Sequence, residues 1–342
     1  MSTAKTLLDV LRSKSQVDCD TLDPEVARIL GPFVDCTSNQ AIAYGELSKP
    51  ENASLVTEAI DAAKSWIHEY AATGEVTFEQ LATEIMMIKL SSRMAAYLTG
   101  FVHVQTNPYH AYSTERTVAN AKRIMTLFSK LTPTLPRSRI CIKIPSTYEG
   151  LRACSILEAL PSRIHTLATT LFSPLQAATA ARANCTYIAP YVNELKVHFV
   201  PGYIDADKGF EVCRSAQRGF VARGKQTMVL PASLTSVAEV MQLAGVAHIT
   251  VSPPLLAELA ATDSSVMDPA LWGWCESSEE DQLKNTVADY EFYETLVDDE
   301  AAWRMAHSRS KNGADEKKLV DAVNIFADMQ DRMENIVKAA VR

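Results

Sequence analysis

Short runs rich in β-branched and other apolar residues recur eight times along the chain, at 15–20, 32–39, 100–107, 139–146, 164–173, 185–193, 226–233 and 248–254. Most of the segments between them carry helical spacing, as in "ASLVTEAIDAAKSWIHEYAA" and "SVAEVMQLAG". Strands that alternate with helices must pair in parallel, because each crossover returns the chain to the same edge of the sheet. Eight such units predict an α/β chain closed into a (β/α)8 TIM barrel. An open doubly wound sheet is the competing reading. It would be expected with a glycine-rich nucleotide loop, and neither G-x-G-x-x-G nor a Walker A pattern occurs.

Two regions lie outside the barrel count. "MSTAKTLLDVLRSK" reads as a leading helix, and a stretch from about residue 276 to 342 is acidic and then strongly helical. No low-complexity linker marks a boundary, so residues 1–342 read as one barrel domain with a C-terminal helical extension at about 276–342. A net charge of −8 disfavours nucleic acid or an acidic membrane surface as partner. No run approaches the roughly 18 apolar residues of a membrane span. The N-terminus lacks a signal-peptide pattern, and the seven cysteines are odd in number without a C-x-x-C. These features predict reduced core cysteines in a cytoplasmic protein.

Alternation along "RICIKIPS" turns Ile142 and Ile144 toward the helices, and Cys141 and Lys143 toward the barrel interior. The same reading puts Asp20, Thr37, Asn39, Gln105, Thr169, Tyr191 and Ser233 at the C-terminal ends of the other runs, where barrel enzymes keep their reacting groups. Taken singly, a strand-end Asp, Asn or Thr is as well explained as a helix cap, and Tyr191 as core packing. Lys143 has fewer structural explanations, since lysine is among the residues least often buried. Either it pairs with Asp20 or Asp35, or it is a desolvated amine whose lowered pKa lets it attack a carbonyl.

"IKIPSTYEGLRA" resembles the Schiff-base lysine motif of the transaldolases, and "TTLFSPLQAATAARA" resembles the segment that follows it. "VDCDTLD", "DCTSNQA" and "EKKLVDAVNIFADMQDRMENIV" are similar to that family's N-terminal aspartate, Thr-x-Asn and last-helix segments. The likeness runs over nearly the whole chain in the family's order, and the lysine motif is its most specific part. The resemblance implies that Lys143 forms an imine with a ketose C2 carbonyl. Asp20 would then handle the C4 hydroxyl proton, Thr37 and Asn39 would orient hydroxyls, and Thr169 would help to hold a water. It implies no metal and no organic cofactor, and a homodimer.

Several matched positions depart from the transaldolase pattern. Gln105 stands for the catalytic glutamate and can hold a water but not exchange a proton. "APYVNE" replaces Ser-Pro-Phe-Val-Gly-Arg, so Tyr191 brings a phenol where the family has phenylalanine. Glutamine with tyrosine is the combination of the related fructose-6-phosphate aldolases, in which the tyrosine does acid–base work. Glu194 and Thr235 occupy the positions of the phosphate-gripping arginines, and Leu167 that of an asparagine. Loss of an Arg–phosphate contact removes about 1.5–3 kcal/mol. Lys196 could compensate, or Glu194 could turn outward into solvent.

The sequence thus predicts a lysine-dependent aldolase or transaldolase acting on a sugar-like carbonyl substrate, weakly or not phosphorylated. Two readings stay open beside it. One is a genuine pentose-phosphate transaldolase, converting sedoheptulose 7-phosphate and glyceraldehyde 3-phosphate to erythrose 4-phosphate and fructose 6-phosphate. The other is a catalytically silent metabolite-binding barrel.

Overall fold

The computed structural model describes residues 5–71, 76–268 and 280–341. Its eight strands each fall inside one of the eight runs: β1 Gln16–Asp20, β2 Cys36–Thr37, β3 Val102–Gln105, β4 Ile140–Pro145, β5 His165–Leu171, β6 Tyr187–Pro190, β7 Met228–Val229 and β8 His248–Val251. They pair in parallel in the order β7-β6-β5-β4-β3-β2-β1-β8. At the remaining seam the Thr250 amide donates to the Pro231 carbonyl at 3.3 Å, which brings the barrel nearly to closure.

β4 shows why the barrel forms as it does. All six of its residues are buried, as expected of a parallel strand covered on both faces. Ile142 and Ile144 join the core between strands and helices, while Cys141 packs inside the barrel with Leu167, Tyr187, Ala189 and Leu230. Pro145 ends the strand, and the Thr147 hydroxyl caps the helix Tyr148–Glu158 by accepting from the Gly150 amide at 2.9 Å. Gly150 is required there, because a Cβ at this position would run into the Pro145 carbonyl oxygen. The lysine strand is therefore locked to its following helix within a few residues.

Deeper in the barrel, polar groups pair with one another. Asp18 lies 3.0 Å from His248 Nδ1, Asp35 lies 2.9 Å from His103 Nε2, and the Asp35 amide donates to Asp18 at 2.8 Å. The Tyr187 ring packs between the two histidines, at 5.5 Å from His103 and 5.0 Å from His248.

The leading helix is Leu7–Lys14, set by a capping box between Thr6 and Asp9 and docked beside the helix Pro253–Ala261. The C-terminal extension forms the helices Glu280–Thr295, Glu300–Arg309 and Ala314–Ala340; residues 269–279 lie outside the described set. The last of these packs on the helix Gln40–Leu47 and on the loops after β3 and β6, which places it across the strands' C-terminal ends. Lys318 fixes it to Asp205 at 2.9 Å, and Tyr109 donates to Asp331 at 2.9 Å. Six described cysteines are free and buried, whereas Cys275 falls outside the described residues. No helix among the described residues is long and apolar enough to cross a membrane.

Candidate active site

Lys143 ends up 2% exposed, with its side chain at the floor of a cavity of about 290 Å³. Asp20, Asn39, Tyr191 and Ser233 share that lining, and Leu195, His198, Phe199, Ser252 and Phe326 complete much of the wall. Lys143 makes no hydrogen bond or ion pair with the described residues. Neither Asp20 nor Asp35 forms the alternative ion pair with it, and both carboxylates have other partners. The Asp35 carboxylate is taken by His103 and by the Phe101 amide at 2.7 Å, and that of Asp20 by the Thr37 hydroxyl at 2.7 Å. Desolvation pushes the Lys143 pKa below the ordinary lysine range, and the negative charge of Asp20 offsets only part of that shift. An unpaired amine that faces a cavity and loses its proton more readily than an ordinary lysine is disposed to act as a nucleophile.

The flanking strands supply its neighbours. Gln105 is in register with Lys143 across the β3–β4 ladder, is 1% exposed, and leaves both amide atoms unpartnered. On the other side the register partner is the apolar Leu167, which packs inside the barrel. Thr169 donates from its hydroxyl to the Tyr191 phenol at 3.3 Å. Its placement depends on a bulge in β5 between Ala168 and Leu171, where Thr170 adopts a φ of +52°. A β-branched residue in the left-handed region is strained, and such strain concentrates at functional sites. Burial raises the Tyr191 pKa well above the usual phenol range, so the hydroxyl stays protonated and available as a donor.

The Thr37 hydroxyl sits between Asp20 and the Thr250 hydroxyl, the latter 2.6 Å away, and acts on the cavity only through Asp20. Asn39 caps the helix Gln40–Leu47 by accepting from Ala41 and Ile42, and it also lines the cavity. The cap reading and the site reading therefore both hold for this residue. Ser233, at a φ of +59°, lies 3.0 Å from His198 Nε2. Desolvation, set against the charges of Asp20 and Glu239, leaves His198 below the ordinary histidine range.

Glu194 and Thr235 lie apart from the cavity. Contrary to the outward, solvated reading, Glu194 is 7% exposed; it accepts from the Tyr203 phenol and lies 3.9 Å from Lys196. Thr235 is exposed, with its amide and hydroxyl both donating to Glu239. Lys196 does not compensate for a missing arginine, because it is held by Asp321 at 2.5 Å. As for cation ligands, Asp18, Asp35 and His248 bring atoms within 4.8 Å of one another, but these atoms already pair among themselves or with His103.

A family profile described as Transaldolase/Fructose-6-phosphate aldolase matches residues 17–335. The chain belongs to this family. Among curated relatives, it is 29% identical to a transaldolase of Xanthomonas oryzae pv. oryzae over 266 residues, covering 76% of this chain and 80% of that one. It is 27% identical over 317 residues to a transaldolase of Schizosaccharomyces pombe, covering 89% of each. The transaldolase of Acidobacterium capsulatum is 28% identical over 318 residues, covering 91% of each. Membership makes the chain an enzyme of the transaldolase and aldolase type.

For this transaldolase-family chain, strand periodicity missed His198, Leu195, Phe199, Ser252 and Phe326. Leu195 and His198 belong to a short 3-10 turn, and Phe326 lies on the last helix, in a segment whose pattern reads simply as an amphipathic face. Only tertiary packing brings them to Lys143.

Proposed function

We propose that this enzyme is a class I aldolase in which Lys143 forms a Schiff base with a small, unphosphorylated or weakly phosphorylated ketone donor. The observation that carries the reading is the buried, unpaired amine at the floor of a cavity shared with Asp20 and Tyr191. In the cleavage direction, the neutral amine adds to the donor's C2 carbonyl; the carbinolamine hydroxyl takes one proton, relayed through Tyr191, and leaves as water, which gives a protonated imine. That cation draws the electron pair of the C3–C4 bond as Asp20 takes the C4 hydroxyl proton, and an aldehyde departs. The remaining enamine is protonated at C3, or captures a new aldehyde, and water then returns the free amine. Tyr191 and Thr169 hold the water and transfer its protons, and Gln105 fixes a hydroxyl or water beside the imine through its unpartnered amide.

The placement of Glu194 and Thr235 supports an unphosphorylated substrate, because neither offers a phosphate a cation. The test compares transfer from fructose 6-phosphate to erythrose 4-phosphate with cleavage of fructose and addition of dihydroxyacetone to aldehydes. Higher kcat/KM for the unphosphorylated reactions is expected. Transfer between the sugar phosphates at the roughly 1–10³ per second typical of enzymes, with negligible unphosphorylated activity, would instead establish a genuine pentose-phosphate transaldolase.

A further inference from the structure

We infer that the apolar wall of the cavity is a subsite for an uncharged acceptor aldehyde bearing an apolar substituent, an assignment that rests on the Schiff-base reading above. The cavity is divided by chemistry. Lys143, Asp20, Asn39 and Tyr191 supply polar lining, whereas Ile42, Leu195, Phe199, Pro253 and Phe326 supply an apolar wall, with Phe326 and Leu195 packed in one cluster beside Tyr191. The apolar surface continues past the rim, since Phe199 is 38% and Val200 47% exposed.

The charges of the lining disfavour an anion against this wall. Among the described residues of the lining, Lys143 is the only lysine or arginine. Cations on the segments that bear Leu195 and Phe326 are engaged elsewhere: Lys196 and Lys317 with Asp321 at 2.5 and 2.7 Å, Lys318 with Asp205 at 2.9 Å, and Arg332 over the Tyr44 ring at 5.7 Å. A phosphate against Phe199 and Phe326 would lose its hydration without gaining a cationic partner. An alkyl or phenyl group would gain by leaving water. His198 and Ser233 offer neutral hydrogen-bonding positions beside that wall.

In the reaction, the protonated imine of the donor on Lys143 loses a C3 proton to Asp20, and the C3 carbon of the resulting enamine forms a bond to the aldehyde carbon. The aldehyde's π pair moves onto its oxygen, which takes the proton held by Asp20 and becomes a hydroxyl. Water then adds to the resulting imine, and the aldol product leaves as Lys143 regains its amine. Donor and acceptor atoms are all retained in the product.

The experiment holds dihydroxyacetone as donor and compares phenylacetaldehyde, glyceraldehyde and glyceraldehyde 3-phosphate as acceptors, reading kcat/KM by product mass. Borohydride capture of dihydroxyacetone on Lys143 is measured in parallel. Phenylacetaldehyde is expected to exceed both others by about tenfold or more, the scale of discrimination by a hydrophobic pocket. Phe326→Ser should abolish that preference by raising KM for phenylacetaldehyde. Phe326 is fully buried, so Ile42→Ser, at a half-buried position of the same wall, makes the same comparison if the first variant does not fold. Parity among acceptors, preference for the phosphorylated one, or a preference that survives both substitutions would overturn the subsite while leaving donor capture intact. Absence of donor capture would overturn the Schiff-base reading and the subsite together.

Discussion

The Thr169 hydroxyl donates to the Tyr191 phenol across 3.3 Å, linking β5 to the end of β6 beside the lysine strand. Both ends of this link are fixed by backbone. The carbonyl of Thr169 accepts from the Ser146 amide at 2.8 Å and from the neighbouring Thr170 hydroxyl at 2.6 Å. The Tyr191 amide donates to the Leu171 carbonyl at 3.0 Å, and Gly209 packs against the Tyr191 carbonyl where a Cβ would not fit. Two hydroxyls held this way keep a fixed mutual geometry, as the proton transfer proposed for them requires.

Tyr191→Phe removes the hydroxyl and keeps the ring, which packs edge-on to Phe172 at 5.6 Å. Turnover is expected to fall by about 10²–10⁴-fold, the usual contribution of a positioned acid–base group. Capture of the donor on Lys143 should persist. Parallel kinetics and borohydride trapping carried to completion separate the two, and an equal loss of turnover and of the final extent of capture would contradict a role confined to proton transfer.

Asp20→Asn should move the pH dependence of imine formation downward. Only the neutral amine attacks, so the rate rises with pH through the Lys143 pKa. Burial lowers that pKa and Asp20 raises it, so removing the carboxylate lowers it further. Gln105→Glu, which puts a carboxylate in register with Lys143, should shift the profile upward. Initial trapping rates from about pH 5 to 10 would check the signs, and an upward shift for Asp20→Asn would refute the electrostatic assignment.

His248→Ala should destabilise the fold by about 3–5 kcal/mol, because it leaves the carboxylate of Asp18 buried without its partner. Adding Asp18→Asn should recover part of the loss. Urea unfolding measures both, and a cost for the single variant below about 1 kcal/mol, the scale of a surface pair, would contradict the pairing.

Gly150→Ala places a methyl against the Pro145 carbonyl, at the turn that ends the lysine strand. Overpacking of this kind costs about 1–3 kcal/mol. Thermal unfolding should show a clear fall in Tm, and the displaced strand end should slow donor capture as well. An unchanged Tm would show that the turn can relax.

Strand–helix alternation made the barrel legible, since all eight strands fall within the runs marked by apolar, β-branched residues. Period-2 alternation in β4 was enough to turn Lys143 inward. The site's floor was legible for the same reason, because Asp20, Asn39, Tyr191 and Ser233 end strands or follow them closely. The roof was not. Phe326 and Leu195 meet through packing between the last helix and the loop after β6, which no local pattern encodes. Ion pairs were equally hidden: the pairing of Lys196 with Asp321, and of Lys318 with Asp205, depends on where that helix crosses the barrel mouth. The outward reading of Glu194 failed because Tyr203 and Lys196 approach it from segments whose direction the sequence does not specify.

The central claim is that Lys143 forms the imine. Incubation with dihydroxyacetone, reduction with borohydride and peptide mass analysis would test it most directly. One reduced donor adduct per chain is expected on the peptide containing Lys143, absent in Lys143→Ala. No adduct with any ketone donor, or an adduct carried by another lysine and retained in Lys143→Ala, would contradict it.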